Sequence, residues 1–110
     1  MHPDDALVFL FEILVPTTRR KDGKPIRTRQ HRVWDAKVRA IAGGLTILQP
    51  VKGQWLATDA QLHQERMIPV RIACTYKQVG EIAAMTASFY DQLAVMFYRV
   101  ADCVEIRRFG

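Results

Sequence analysis

Apolar and polar positions alternate along this chain in a way that marks four strand-like and two helix-like stretches. Residues 6–15 (ALVFLFEILV) are an almost unbroken apolar run of strand formers closed by Pro16, the pattern of a central strand covered on both faces. Trp34, Val38, Ile41 and Ala42 recur at helical spacing, with Asp35 and Arg39 as an i,i+4 pair on the other side. This predicts a helix over 28–42, capped by Thr28 and stopped by Gly43-Gly44. Residues 45–49 alternate as a half-buried strand, and Pro50, which has no ladder donor, places that strand at a sheet edge. After a bend over 51–54 the strand resumes at Trp55-Leu56. A turn at Thr58-Asp59-Ala60-Gln61 then leads to a strand over 67–75, in which Ile68, Val70, Ile72 and Cys74 make the greasier face. Thr75 followed by Gln78 is a capping box, and Val79, Ile82, Ala83, Thr86, Phe89 and Tyr90 recur at helical spacing to about residue 92. Residues 94–100 (AVMFYRV) are a last core strand, with 104–109 as an extension or a short fifth strand.

Strand, helix, strand, strand, helix, strand is the order of the ferredoxin-like split βαβ plait, an α+β fold with antiparallel strand order 4-1-3-2 and both helices on one face. The apolar first strand falls in a centre position of that order and the proline-broken second strand at an edge. Length and composition agree with a single domain over 1–110: 110 residues, 49% apolar and 25% charged, which excludes disordered and coiled-coil classes.

The pattern Gly44-Leu45-Thr46-Ile47-Leu48, then Lys52-Gly53-Gln54-Trp55, then Glu65 through Ile72, resembles an uncharacterised group of small bacterial plait proteins with a GLT…GxW…E signature. The resemblance covers about residues 9–109 and implies the fold and no activity. A glycine often occupies the second turn in such proteins, where this chain has Ala60.

Charge adds one feature. Between residues 16 and 30 lie Arg19, Arg20, Lys21, Lys24, Arg27 and Arg29 against Asp22 alone, equal to the whole chain's formal excess of +5. Such concentration points to one basic loop, either a mobile segment or a short ribbon turned by Asp22-Gly23, rather than to a general nucleic-acid surface drawn from several elements. An anion clamp for phosphate, nucleotide or RNA backbone is its functional reading, with Arg19, Arg20, Lys21 and Arg27 as candidates. Stacking of bases is not signalled, because residues 67–73 hold no aromatic.

If Leu7, Phe9, Phe11 and Ile13 face the helices, the open face of the first strand carries Val8, Leu10, Glu12 and Leu14. An apolar open face of this kind predicts a homodimer packed sheet against sheet. Glu12 is the exception in the run and needs cationic partners, for which alternation offers Arg71 and Arg99. Together they form either a structural ion pair or the polar floor of a ligand pocket.

Candidate chemistry is otherwise sparse. The spacing of Cys74 and Cys103 fits two buried reduced thiols rather than a disulfide or metal site, and no metal or cofactor is expected. His2, His31 and His63 read as isolated surface residues, and Trp55 and Tyr98 as core aromatics. The opening Met1-His2-Pro3-Asp4-Asp5 is acidic where a secretory signal is basic, and the first apolar run is too short to span a bilayer, so a cytoplasmic protein without membrane contact is expected. The expectation is a non-enzymatic homodimeric binding module for a small anionic ligand or a protein partner. The alternatives are a small cofactor-free enzyme with its pocket on the open sheet face and a binder of nucleic-acid backbone through the basic loop.

Overall fold

The structure, a computed structural model, describes residues 7–110. The acidic opening residues and Ala6, with which the expected first strand begins, lie outside the described residues. The elements run β1 (Val8–Pro16), α1 (Thr28–Ala42), β2 (Thr46–Ile47), β3 (Val51–Leu56), β4 (Leu62–Thr75), α2 (Tyr76–Phe89) and β5 (Phe97–Ala101). The sheet order is β2-β4-β1-β5, with β3 also paired to β4 and every pairing antiparallel. This is the ferredoxin-like plait with its second strand split in two at Pro50.

The apolar run does sit in the centre, between β4 and β5. Phe11, Ile13 and Val15 are fully buried and stand opposite Ile72, Val70 and Ile68 of β4, beneath Trp34 and Val38 of α1 and Val79 and Ile82 of α2. The two helices run antiparallel, joined by three polar clasps. Gln78 Nε2 donates to the Ile41 carbonyl (3.0 Å), Trp34 Nε1 to Thr86 Oγ1 (2.9 Å), and His31 Nδ1 lies 2.6 Å from the Tyr90 hydroxyl. The Thr75–Gln78 capping box forms both of its bonds. The cap of α1 lies one residue before the expected one: Arg27 holds the N-cap position, its N–H donating to the Gln30 side chain three residues on, and Thr28 is the first helical residue. Gly43 closes α1 in the left-handed conformation (φ 89°).

Three elements differ from the sequence reading. β3 is continuous from Val51 where a bend is expected, and β4 begins at Leu62 rather than 67, so β3 and the first half of β4 form a two-stranded arm that projects beyond the end of β1 at Pro16. The turn that closes it is tight: Ala60 takes φ 65°, and Asp59 Oδ1 accepts from the Gln61 N–H. The arm's residues are mostly exposed on both sides, so they carry no apolar alternation for a reader to find. The last strand starts at Phe97, and residues 104–109 form no strand. Cys74 is buried as expected, but Cys103, just past β5, is exposed.

Candidate functional site

The face of the sheet opposite the helices presents the alternate residues of each strand. Val8, Leu10, Glu12 and Leu14 of β1 lie there, as their alternation requires. Val8 is 44% exposed, Leu10 and Leu14 are half-buried, and on the arm the same face continues through Val51, Met67 and Trp55, the last stacked on His63 with ring centroids 4.5 Å apart.

A polar row crosses this apolar surface. Thr46 of β2 stands opposite Arg71 of β4, Arg71 opposite Glu12 of β1, and Glu12 opposite Tyr98 of β5. Arg71 Nε donates to Glu12 Oε1 at 3.0 Å, and the Tyr98 hydroxyl donates to Glu12 Oε2. Glu12 is 8% exposed although it lies on the open face, between Arg71 and Tyr98, and not in the core beneath the helices. The Tyr98 hydrogen bond holds its carboxyl below the ordinary carboxylate range; burial opposes this and Arg71 reinforces it. The same hydrogen bond, with burial, raises the Tyr98 phenol. Glu12 is therefore an ionised, doubly engaged acceptor.

The sequence-predicted residues divide as follows. Glu12 and Arg71 meet as expected. Arg99 does not join them: directly opposite Glu12 stands Tyr98, so alternation sends Arg99 to the helix side, where its guanidinium lies 4.7 Å over the Phe9 ring and 3.2 Å from Asp102. Tyr98 and Trp55, read as core aromatics, are 42% and 50% exposed.

The basic segment has the geometry of a short ribbon turned at Asp22-Gly23. Thr18 bridges to Pro25, Gly23 takes φ 70°, and the Arg19 N–H donates to the Lys24 carbonyl at 2.8 Å. Two of its arginines are engaged within the chain: Arg19 with Asp22 at 2.7 Å, and Arg20 with the carbonyl and carboxylate of Asp91 at 2.9 and 3.3 Å. Lys21 lines a shallow cavity of about 200 Å³ with both of them and with Tyr90, while Arg27 lies outside it at the start of α1.

The histidines are less isolated than their spacing suggests. His31 and Tyr90 share a hydrogen bond between α1 and the end of α2, and His31 opens onto a cavity of about 250 Å³ walled by Val15, Trp34, Ile68 and Val70. Burial lowers the His31 pKa, with Asp35 opposing, and raises that of Asp35. No sequence spacing signals this pair, since it depends on how the two helices cross.

No protein-family model and no curated protein matches the chain. Solved structures do. CutA from Xylella fastidiosa matches at TM-score 0.66 and 11% identity, over 92% of this chain and 88% of that one. The divalent cation tolerance protein Cut A1 from Thermus thermophilus matches at 0.63 and 8%, over 94% and 88%. A phage SAM lyase in complex with S-methyl-5'-thioadenosine matches at 0.65 and 13%, over 86% and 81%. The chain shares their fold. At these identities the likeness carries the plait and no residue-level role.

Proposed function

We propose that the chain is a non-enzymatic binding module that forms a homodimer through its open sheet face, with Arg71 on that face as the group that takes a small anionic ligand or an acidic side chain of a partner. The observation that carries the reading is an apolar surface with one neutralised polar row at its centre. β1 alone is about 30 Å long and four strands span about 15–20 Å, so the face offers on the order of 500 Å² before the arm is added. A stable interface needs about 800 Å² per partner, which the sheet and arm together approach. The accessible surface of 7987 Å² exceeds by roughly a quarter what a compact monomer of this mass presents. The projecting arm contributes to that surplus, and mating over about 800 Å² per copy would remove a little under half of it.

Arg71 gives only its Nε to Glu12, and its side chain is 42% exposed beside Thr46. Arg20, by contrast, gives both its Nε and its Nη2 to Asp91, which favours the sheet face over that end of the ribbon for a small anion. A second reading, a small cofactor-free enzyme on the same face, draws on the neighbour named as a SAM lyase. Against it, a carboxylate already accepting from Arg71 and Tyr98 is a weak base. The divalent cation named in other neighbours is not carried over, since among the described residues no group of three or more His, Cys, Asp or Glu is placed to hold a metal ion. No described helix is long and apolar enough to cross a membrane, and we place the protein in the cytoplasm. The test is Leu10→Arg, which puts a charge in the middle of the apolar face: it should yield monomers with an unchanged far-ultraviolet spectrum, and a variant that assembles like the parent would refute the proposal.

A further inference from the structure

The helix side of the molecule differs from the open face in its charge. The ribbon brings Lys21, Lys24 and Arg27; α1 brings Arg29, Arg32, Lys37 and Arg39 from its outward half. The arm adds Lys52 and Arg66, which stand directly opposite one another and, by alternation with Ile68 and Val70, point to this same side. Like charges paired across strands are unfavourable, so the arm tolerates a repulsion at this position. All nine are exposed, and among the described residues none forms an ion pair.

The three elements are joined rather than merely near in sequence. Thr17 Oγ1 donates to the Arg66 carbonyl at 2.7 Å, tying the ribbon's base to the arm, and Arg20 and Arg66 line one cleft. The clasp of Arg20 on Asp91 fixes the ribbon against the end of α2. Cations drawn from a ribbon, a helix and an arm, held by internal bonds, form the multi-element surface that the sequence alone does not reveal. The acids of this region are few: Asp22 and Asp91 are neutralised by arginines, Asp35 is half-buried, Glu65 at the cleft of Arg20 and Arg66 belongs by alternation to the open face, and the exposed Glu81 lies on α2 rather than on the three cationic elements.

We propose that this side binds the phosphate backbone of duplex nucleic acid without reading its sequence. Charge complementarity commits the surface to a polyanion, and two observations select nucleic acid over an anionic membrane. Five of the nine cations are arginines, which engage phosphate oxygens in bidentate fashion. A membrane-surface helix also needs a free apolar face, and that of α1 is already buried, with Trp34 and Val38 at 1% and 0% exposure. At about 1.5 Å per residue α1 is about 22 Å long, enough to follow roughly six phosphates of one strand. The aromatics nearest these cations are enclosed, Trp34 at 1% and Tyr90 at 8% exposure with Phe89 packed against the core, so they offer no open stacking platform and the protein reaches phosphates rather than bases. The surface lies opposite the mating face and does not depend on self-association.

The test is fluorescence anisotropy of the full chain with a labelled duplex of about 24 base pairs, at sodium chloride from about 50 to 300 mM. Binding should be equal for two unrelated sequences and weaken linearly on a logarithmic salt scale. Replacing Arg29, Arg32 and Arg39 together by alanine should lower affinity at least tenfold and reduce the magnitude of the salt slope by about 2.7, at about 0.9 for each phosphate no longer neutralised. Arg107→Ala with Arg108→Ala, which removes charge from the C-terminal segment instead, should leave the slope unchanged. Absence of binding at the lowest salt, equal losses per charge removed in the two variants, or attachment to phosphatidylserine vesicles without attachment to the duplex would each overturn the proposal.

Discussion

Glu12→Gln tests the polar row most sharply, because it keeps the side chain's shape and removes its charge. The carboxylate accepts from Arg71 and Tyr98. A hydrogen bond to a charged group contributes about 1.5–3 kcal/mol net. The Arg71 side chain is 42% exposed in the single chain, so solvent screens the pair and the loss there falls to about 1 kcal/mol. In a domain of this size that is a fall of roughly 4–8 °C in melting temperature. In the mated state water is excluded and each copy leaves an under-compensated guanidinium, which is costlier. Taking only about 1 kcal/mol per copy, two copies raise the dimer dissociation constant roughly 30-fold. Sedimentation velocity over a dilution series, paired with thermal melts, reads both quantities. The pH dependence gives a separate handle. Because the folded carboxyl titrates below its ordinary 4.5, its contribution is complete above that pH and is lost as pH falls through the lower folded value. The parent chain should therefore lose stability below about pH 4.5 more steeply than the glutamine variant. Unchanged assembly together with an unchanged melting temperature would refute the structural role given to Glu12.

Further outcomes follow from the helix layer and the turns. Thr86→Val should cost about 2 kcal/mol in chemical denaturation, since it strands the fully buried Trp34 indole N–H, whereas a loss under about 0.5 kcal/mol would mean that the indole finds another acceptor. Ala60→Gly should stabilise the arm by about 0.5–1 kcal/mol, because Ala60 occupies the left-handed region at φ 65°, and a destabilised variant would contradict that turn. His31, whose folded pKa is lowered from 6.5 by burial, should contribute a loss of stability as pH falls through 6.5 toward its folded value, where the unfolded chain binds the extra proton; His31→Gln should flatten the stability curve on the acid side of pH 6.5.

Much of the fold is legible in the sequence where one physical constraint acts alone. The greasy run of β1 has no other place than the centre, Pro50 cannot sit in an inner ladder, and Thr75 with Gln78 marks a helix start that forms as written. The site is half legible. Glu12 and Arg71 meet because alternation along two long central strands fixes both faces, but β5 is an edge strand with apolar residues on either side, so its pattern does not distinguish Tyr98 from Arg99 as the partner. The arm is hidden for a related reason: with both sides in solvent, burial imposes no period on Lys52, Gln54 or Gln64. The His31–Tyr90 and Trp34–Thr86 hydrogen bonds depend on the crossing of two helices, which no local spacing encodes.

The central claim is that the bare face of the sheet is covered in solution by a second copy. Sedimentation equilibrium of the chain at micromolar concentration measures this directly: the account predicts the mass of two 12.6 kDa chains, reverting to one for Leu10→Arg. A single-chain mass for the parent protein at that concentration would contradict it.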